Sequence, residues 1–433
     1  MSNGILSPKV YANAFLKLMK NEIVLPKLVS SEYKDIVVSP ISNTGQKNGR
    51  TVYIKRVPQF TVRDGAVAQV QDVVEGEIAV TIDKQKGVDV EFTSMEETLD
   101  VDSLLKSKIM QAKASALANQ IDADLHAETK KFYNWVGTPG QAINSYADLT
   151  QGPQRLDEMS VESSGRVGLL HPSDAWAMLG SLSGLTAQTK EATDALTKAK
   201  LPMLGNIDWY STQNAGTVTT GTRDGSALVD GANQNSTYAS VKSGDWTQTL
   251  AIDNVGNGKT VVAGEVFTIA NVYACNPLTK AALPYLQQFT VITGGTSVAT
   301  GTADNQDLSL TISPPIISSG AFQNVVCAGA SSTAPDDNAA IQWMGSDTET
   351  DTDATTYKYG TIFRPEAIAL VSAKLVMPHS GEADYATDPE TGLTVRYWRT
   401  SDGINDTHLH RFDVVYGTKM VDPRRGTRIS GAA

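Results

Sequence analysis

Residues 78–133 read IAVTIDKQKGVDVEFTSMEETLDVDSLLKSKIMQAKASALANQIDADLHAETKKFY, and the period of the apolar residues changes partway along this stretch. Ile78, Val80 and Ile82, then Val88, Val90 and Phe92, alternate with polar partners, the period of half-buried strands. The two runs are separated by Lys84-Gln85-Lys86-Gly87, which predicts a hairpin turn. From residue 101 the repeat lengthens to three and four. Leu105, Ile109, Ala112, Ala116, Leu117, Ile121 and Leu125 mark one face of a helix over 101–133. Asp100 or Asp102 can cap its start, and no Gly or Pro interrupts it. At 1.5 Å per residue such a helix would span roughly 45–50 Å, the length of a strut.

Upstream, Val52, Ile54 and Arg56 alternate with Thr51, Tyr53 and Lys55, an earlier strand. The polar stretch 57–76 follows it, with Arg63-Asp64-Gly65 at a predicted tip. A two-stranded ribbon of this kind is marginal alone and needs a partner surface. Residues 1–47 read as an arm. Val10, Phe15, Leu16 and Leu18 give a short amphipathic pattern, and Pro26, Pro40 and Gly45 break the rest into extended pieces. Packing on a neighbouring subunit would cover the arm's apolar residues.

Downstream, residues 145–200 alternate short helices (153–160, one capped by Ser173, and 190–200) with strands at Arg166–Leu170 and from Ile207 to Tyr210. At about residue 216 the composition shifts to Thr, Ser, Gly, Asn and Val. Asp224-Gly225 and Asp230-Gly231 signal turns. Thr247–Ile252, Thr260–Ala263, Val266–Val272, Phe289–Thr293 and Leu308–Ile312 read as regularly spaced strands. The pattern predicts a small all-β barrel or sandwich inserted over 216–345. An acidic, threonine-rich linker at 347–356 closes it. Ala367–Val376, Val395–Arg399 and Leu409–Tyr416 then resume the mixed domain, and Arg424, Arg425 and Arg428 form a basic patch.

Composition narrows the function classes. The 433 residues are 41% hydrophobic and 19% charged, a globular chain with room for two or three domains. The net charge of −11 lacks the basic footprint of a nucleic-acid binder. Cys275 and Cys327 cannot form a disulfide-dense scaffold or a zinc site alone; they allow a single disulfide, and two buried free thiols fit better. Lysines 9, 17, 20 and 27 interrupt the apolar residues of the first 30, so no secretion signal is expected. No apolar run reaches membrane-span length, so no membrane partner is expected. A protein made in a cytoplasm and soluble there follows.

The candidate chemical motifs fail on spacing or context. Gly256-Asn257-Gly258-Lys259-Thr260 lacks the earlier Gly of a phosphate loop, where Asp253 stands, and joins two strands. Gly180-Ser181-Leu182-Ser183-Gly184 has Leu182 where a nucleophile elbow needs Ser. His408 and His410, with Asp406 and Asp413 nearby, could offer a Zn or Fe site. Polar residues on an open sheet face or a subunit contact account for them better. His126 reads as a solvated helix residue. No catalytic residue, cofactor or metal is therefore assigned, and the chain is read as no enzyme.

Arm, extended hairpin, long helix, mixed domain, β-insertion and return follow in an order that resembles the tailed-bacteriophage major capsid (coat) proteins. The likeness is specifically to the short-tailed-phage coat family with an inserted β-domain. It is strongest over Asn48–Asp102, through Thr51-Val52-Tyr53-Ile54, Ile78-Ala79-Val80 and Asp89-Val90-Glu91-Phe92. It continues at Val262-Ala263-Gly264-Glu265-Val266-Phe267-Thr268-Ile269, Thr279–Gln287 and Phe289–Thr293, and at Ile362-Phe363-Arg364-Pro365-Glu366-Ala367-Ile368-Ala369-Leu370 up to Met377-Pro378. The resemblance implies an α+β capsid fold divided as N-terminal arm (1–47), extended β-hairpin loop (48–98), spine helix with the first half of a peripheral and axial shell domain (99–215), inserted β-domain (216–345) and return (346–433). It also implies self-assembly through pentamers and hexamers into an icosahedral head. That head would mature from a procapsid, with a scaffolding protein, a portal ring and enclosed double-stranded DNA as partners. Arg56, Arg63, Asp64, Glu75 and Glu77 are the expected subunit-interface residues, offering opposite charges to a neighbour. The competing expectations are a β-rich binding or adhesion protein built on 216–345, against which the long helix and the lack of an export signal count, and a metal enzyme at His408 and His410.

Overall fold

A computed structural model of the chain describes residues 7–29, 50–62, 65–68, 70, 74–99, 108–182, 203–223, 226–299, 306–345 and 354–432. The fold is mixed, 22% helix and 38% strand. It divides into two compact units, each assembled from three chain segments.

The first unit takes in Met1–Tyr53, Ala79–Glu128 and Ile368–Lys419. Its frame is a five-stranded sheet around the long strand Thr407–Met420, flanked by Thr394–Asp402 and then Glu382–Thr387, and by Ile368–Ala373. Strand β3 (Lys84–Thr93) also pairs with Thr407–Met420, in unbroken register from Thr93 opposite Thr407 to Lys84 opposite Tyr416. The expected turn at 84–87 is therefore the start of a ten-residue strand. Gly87 is there for close approach, since a Cβ would meet Asp413 Oδ1 at 2.6 Å and the Phe412 carbonyl at 2.9 Å.

Helix α1 (Pro8–Glu22) lies in the same unit, and its apolar face is not left for a neighbour. Ala12, Phe15, Leu16 and Met19 are buried. Phe15 stacks on Phe412 at 4.1 Å between centroids, and Tyr11 on Tyr397 at 5.3 Å. Lys20 bridges to Asp388 at 3.1 Å and Glu390 at 2.8 Å. Phe15 and Leu16 are thus covered by their own chain and not by a neighbour, which corrects the expectation for them, while Val10 is exposed and Leu18 half-buried. Most of the remaining arm, 30–49, lies outside the described residues.

Helix α2 (Lys108–Thr129) is the strut, about 33 Å long by its 22 residues, and residues 100–107 before it lie outside the described residues. Leu117, Ile121 and Leu125 are buried as their spacing requires. In its first turns the buried face is Met110, Lys113 and Ala114, while Ile109, Ala112 and Ala116 are exposed. His126 is buried beside Asp122, at 3.5 Å, rather than solvated. Asp122 also accepts the Leu25 N–H, and Asp124 accepts the Tyr416 hydroxyl at 2.7 Å. Carboxylates on the strut thereby hold both the turn after α1 and the long strand.

The second unit takes in Ile54–Ile78, Thr129–Ala367 and Met420–Ala433. It contains a five-stranded mixed sheet in the order Asn134–Val136, Gly426–Ile429, Gly360–Phe363, Val167–Leu170, Asp208–Ser211. Helices Tyr146–Glu158 and Pro172–Leu182 belong to it, the first closed by a capping box between Ser145 and Asp148. Segment 190–200 lies outside the described residues.

The same unit carries an eight-stranded sheet drawn wholly from residues 228–343. Every pairing given for it is antiparallel. Val229, Leu250, Ile252, Phe267, Ile269, Phe289, Val291, Leu310 and Ile312 fill its core. Its two longest strands, Val266–Cys275 and Ala282–Thr293, continue past register shifts into the mixed sheet's core, where Ala274, Leu283 and Tyr285 pack. The Gln288 side chain mimics a strand pairing there. It accepts the Trp135 N–H and donates to the Trp135 carbonyl, each at 2.8 Å. Strands of the eight-stranded sheet thus lend side chains to the core of the mixed sheet. Cys275 and Cys327 are both free and buried. The strand register sets Cys327 opposite Val272, three positions from Cys275.

Arg428, expected in a surface basic patch, has no exposed surface. It donates to the carbonyls of Gly264 (2.6 Å) and Lys130 and to Thr290 Oγ1 (3.1 Å), between the rings of Trp135 and Tyr359. Arg424 and Arg425 pair with Asp422, and Arg425 also pairs with Glu366. No basic patch remains.

Candidate functional site

The ribbon of β1 (Thr51–Lys55) and β2 (Glu77–Thr81) forms because Val52, Ile54, Ile78 and Val80 all turn to one buried face. Between the strands the chain makes a long excursion, residues 56–76, which belongs to the second unit. Val74 is half-buried, but the loop's other described valines and Phe60 face solvent. Val57, Phe60, Val62, Val67 and Val70 are all exposed, Val62 and Val70 at 97% and 94%.

At the base of this loop the chain doubles back on itself. Arg56 N–H donates to the Gly76 carbonyl at 2.8 Å. Lys55 and Glu75 form an exposed ion pair at 2.5 Å, and that contact raises the lysine's pKa above its ordinary value. Exposed pairs of this kind contribute little. Arg56 turns inward. Its Nη2 donates to the Gly244 carbonyl at 2.8 Å, and its guanidinium lies 4.7 Å from the Trp246 ring centroid. Burial pushes its pKa down, against the pull of Asp422, Tyr238 and Asp245.

Glu77 meets the same segment through its backbone. Its N–H donates to the Lys242 carbonyl at 3.2 Å, and the Gly244 N–H donates to the Glu77 carbonyl at 3.1 Å, an isolated parallel bridge to Ser243. Of the five expected interface residues, the structure gathers Arg56, Glu75 and Glu77 at this base. Arg63 and Asp64 lie outside the described residues. The sequence reading missed Gly76, Tyr238, Gly244 and Trp246. The available signal was two aromatics eight residues apart with a glycine between them.

His410 does not lie on the open sheet face that the sequence suggests. His410 is buried, with Nδ1 at 2.8 Å from the Tyr397 hydroxyl, and His408 lies 2.7 Å from Ser401 Oγ. Burial lowers the pKa of His410 to about 4, helped by Arg399, Lys113 and His408. Among the described residues no cluster of His, Cys, Asp and Glu is arranged to hold a metal ion. None of the described helices is long and apolar enough to cross a membrane. The Gly256–Thr260 motif is a turn feeding the short strand Thr260–Val261, with Gly256 and Gly258 at positive φ.

The family model described as "P22 coat protein - gene protein 5" matches residues 16–431, nearly the whole chain. The chain belongs to the P22 coat protein family. As a P22-type coat protein it is a major capsid protein, the structural subunit of the phage head and its icosahedral shell. The expectation of a binding or adhesion protein is not favoured.

Solved structures similar to this coat protein include one from Mycobacterium phage Che8 (13% identity, TM-score 0.47, 94% of this chain and 90% of that chain). The capsid structure of the cyanophage P-SCSP1u follows (8%, 0.40, 89% and 85%), as does the capsid of Ralstonia phage GP4 (9%, 0.40, 93% and 88%). No curated protein matches. Family membership stands on the sequence match alone.

Proposed function

We propose that the 56–76 loop is the reaching element of this capsid subunit and lies on a second copy of the chain in the shell. The observation that carries this is the exposed apolar series Val57, Phe60, Val62, Val67 and Val70 within one loop. Solvated alone, such a series on a marginal two-stranded ribbon gains nothing. Covered by a neighbour, each buried valine contributes up to about 1.5–3 kcal/mol. Glu75, Glu77, Arg63 and Asp64 would supply charge at the rim of that contact. Arg56 would act from inside its own subunit.

In this reading residues 216–345 are an inserted β-domain that stabilises the subunit. Subunits gather as pentamers and hexamers, with a scaffolding protein and a portal ring, into a procapsid made in the host cytoplasm. The procapsid then matures around double-stranded DNA. The antiparallel sheet with a core of its own supports the insertion. The net charge of −11 suits enclosing DNA better than gripping it.

The test is assembly of a variant carrying Phe60→Asp, Val62→Asp and Val67→Asp, with deletion of 60–75 as the stronger form. The variant should stay folded by circular dichroism yet sediment as free subunits or capsomers. Closed shells at wild-type yield from both variants would sink the reading.

A further inference from the structure

We propose that residues 237–246 are a releasable strap that fixes the direction in which the 56–76 loop leaves its unit, and that the strap opens in a subset of subunits as the shell closes. The inference rests on the reading of that loop as the reaching element.

The strap grips the loop base at three points. The parallel bridge between Glu77 and Ser243 has only two hydrogen bonds, at 3.2 and 3.1 Å. Arg56 is held by the Gly244 carbonyl and the face of Trp246. Gly76 lies directly under the strap, where a Cβ would meet the Lys242 carbonyl at 2.5 Å and the Tyr238 hydroxyl at 2.8 Å. Behind these contacts Tyr238 stacks on Phe322, and Trp246 tilts against both rings.

The strap is closed under strain. Trp246 has φ +61° and Gly244 has φ +99°. The left-handed region is natural for the glycine and costly for a bulky aromatic. Such a conformation persists only while its surroundings hold it, and strain of this kind collects at switch segments. Here the holding contacts are those of the indole ring with Arg56, Tyr238 and Phe322. Removing Arg56 from the ring frees the backbone to relax, so loop position and strap conformation are coupled. One isolated bridge is easily broken, whereas the β1–β2 ribbon beneath it survives. The loop can therefore change direction without unfolding its base. Chemically identical subunits in a closed shell of pentamers and hexamers meet different surroundings. A loop with two discrete directions satisfies both, which is what a bistable element supplies.

The experiment locks the strap. Glu77→Cys and Ser243→Cys in the full chain place cysteines at bridged positions. Cys275 and Cys327 are buried and do not compete. Oxidised protein should form capsomers, with at least a tenfold fall in closed shells, restored by dithiothreitol. Gly76→Val should force the strap open and broaden the distribution of shell sizes. Normal shells from fully oxidised protein overturn the proposal. Should the disulfide not form, hydrogen exchange at the Glu77 and Gly244 amides decides. Protection in free subunits that splits into protected and open populations in shells supports the strap, and uniform protection in shells overturns it. The two readings fail differently. Normal shells from the loop variants remove the reaching role, whereas normal shells from the locked chain alongside defective loop variants remove only the strap.

Discussion

The carboxylate of Asp122, on the strut helix, accepts the backbone N–H of Leu25 at 2.8 Å. A buried acceptor ninety-seven residues away thus caps the start of the 3-10 turn Leu25–Lys27 that follows α1, and ties it to the strut. The same side chain has the His126 ring 3.5 Å from its other oxygen. Asp122→Ala should cost about 1–3 kcal/mol by leaving the Leu25 N–H buried without an acceptor. Asp122→Asn keeps an oxygen there and should cost less. Hydrogen exchange at the Leu25 amide reads the difference directly.

Docking of α1 depends on Phe15. Its ring has no exposed surface and stacks on Phe412. Phe15→Ala should cost about 3–5 kcal/mol and release α1 from its sheet. Limited proteolysis should then cut between residues 8 and 22 in the variant, while the wild-type helix resists. Equal resistance in both would mean that α1 is held by other contacts.

His410 makes the first unit sensitive to acid. Its folded pKa is about 4, below the ordinary 6.5, so between those values the unfolded chain binds more protons than the folded one. Stability is full above pH 6.5 and falls as the pH drops toward 4, by on the order of 3 kcal/mol. His410→Gln, which keeps a polar partner for Tyr397, should flatten denaturation midpoints across that window. An unchanged acid limb would assign the loss to other groups.

Arg428 is a buried cation whose charge, among the described residues, is met by carbonyls, a hydroxyl and ring faces. Arg428→Ala should destabilise the second unit by about 3–5 kcal/mol, because the Lys130 and Gly264 carbonyls lose their donor. Arg428→Lys should recover only part of this, since one ammonium cannot reproduce the planar fork. Thermal denaturation of unassembled subunits ranks the three chains.

Much of the fold was legible because alternation survives in the sequence. Val88, Val90 and Phe92 announce a strand correctly. They cannot announce its partner, which begins at Thr407, and so Gly87 was assigned to a turn that does not exist. On α2 the clear residues Leu117, Ile121 and Leu125 were placed correctly. The first turns were misassigned because Ala112, Ala114, Ala116 and Ala118 are too alike to mark a face. Arg428 was misread because an arginine near two others looks solvated, and its acceptors at 130, 264 and 290 are remote in sequence. Three-residue strands such as Asn134–Val136 and Ile341–Trp343 carry too few residues for a period to show. At the loop base, charge draws attention to Arg56, Glu75 and Glu77, yet Glu77 meets residues 242–244 through its backbone. The role of Trp246 depends on its backbone angle, which no side-chain pattern records.

The strand Gly426–Ile429 lies between Asn134–Val136 and Gly360–Phe363 in the mixed sheet, paired in parallel with the first. On the ribosome, residue 134 must therefore wait for residue 426. At 5–20 residues per second that delay is on the order of 15–60 s. A nascent subunit consequently lacks the middle of this sheet through most of its synthesis. Chains still attached to polysomes would therefore be poor substrates for polymerisation.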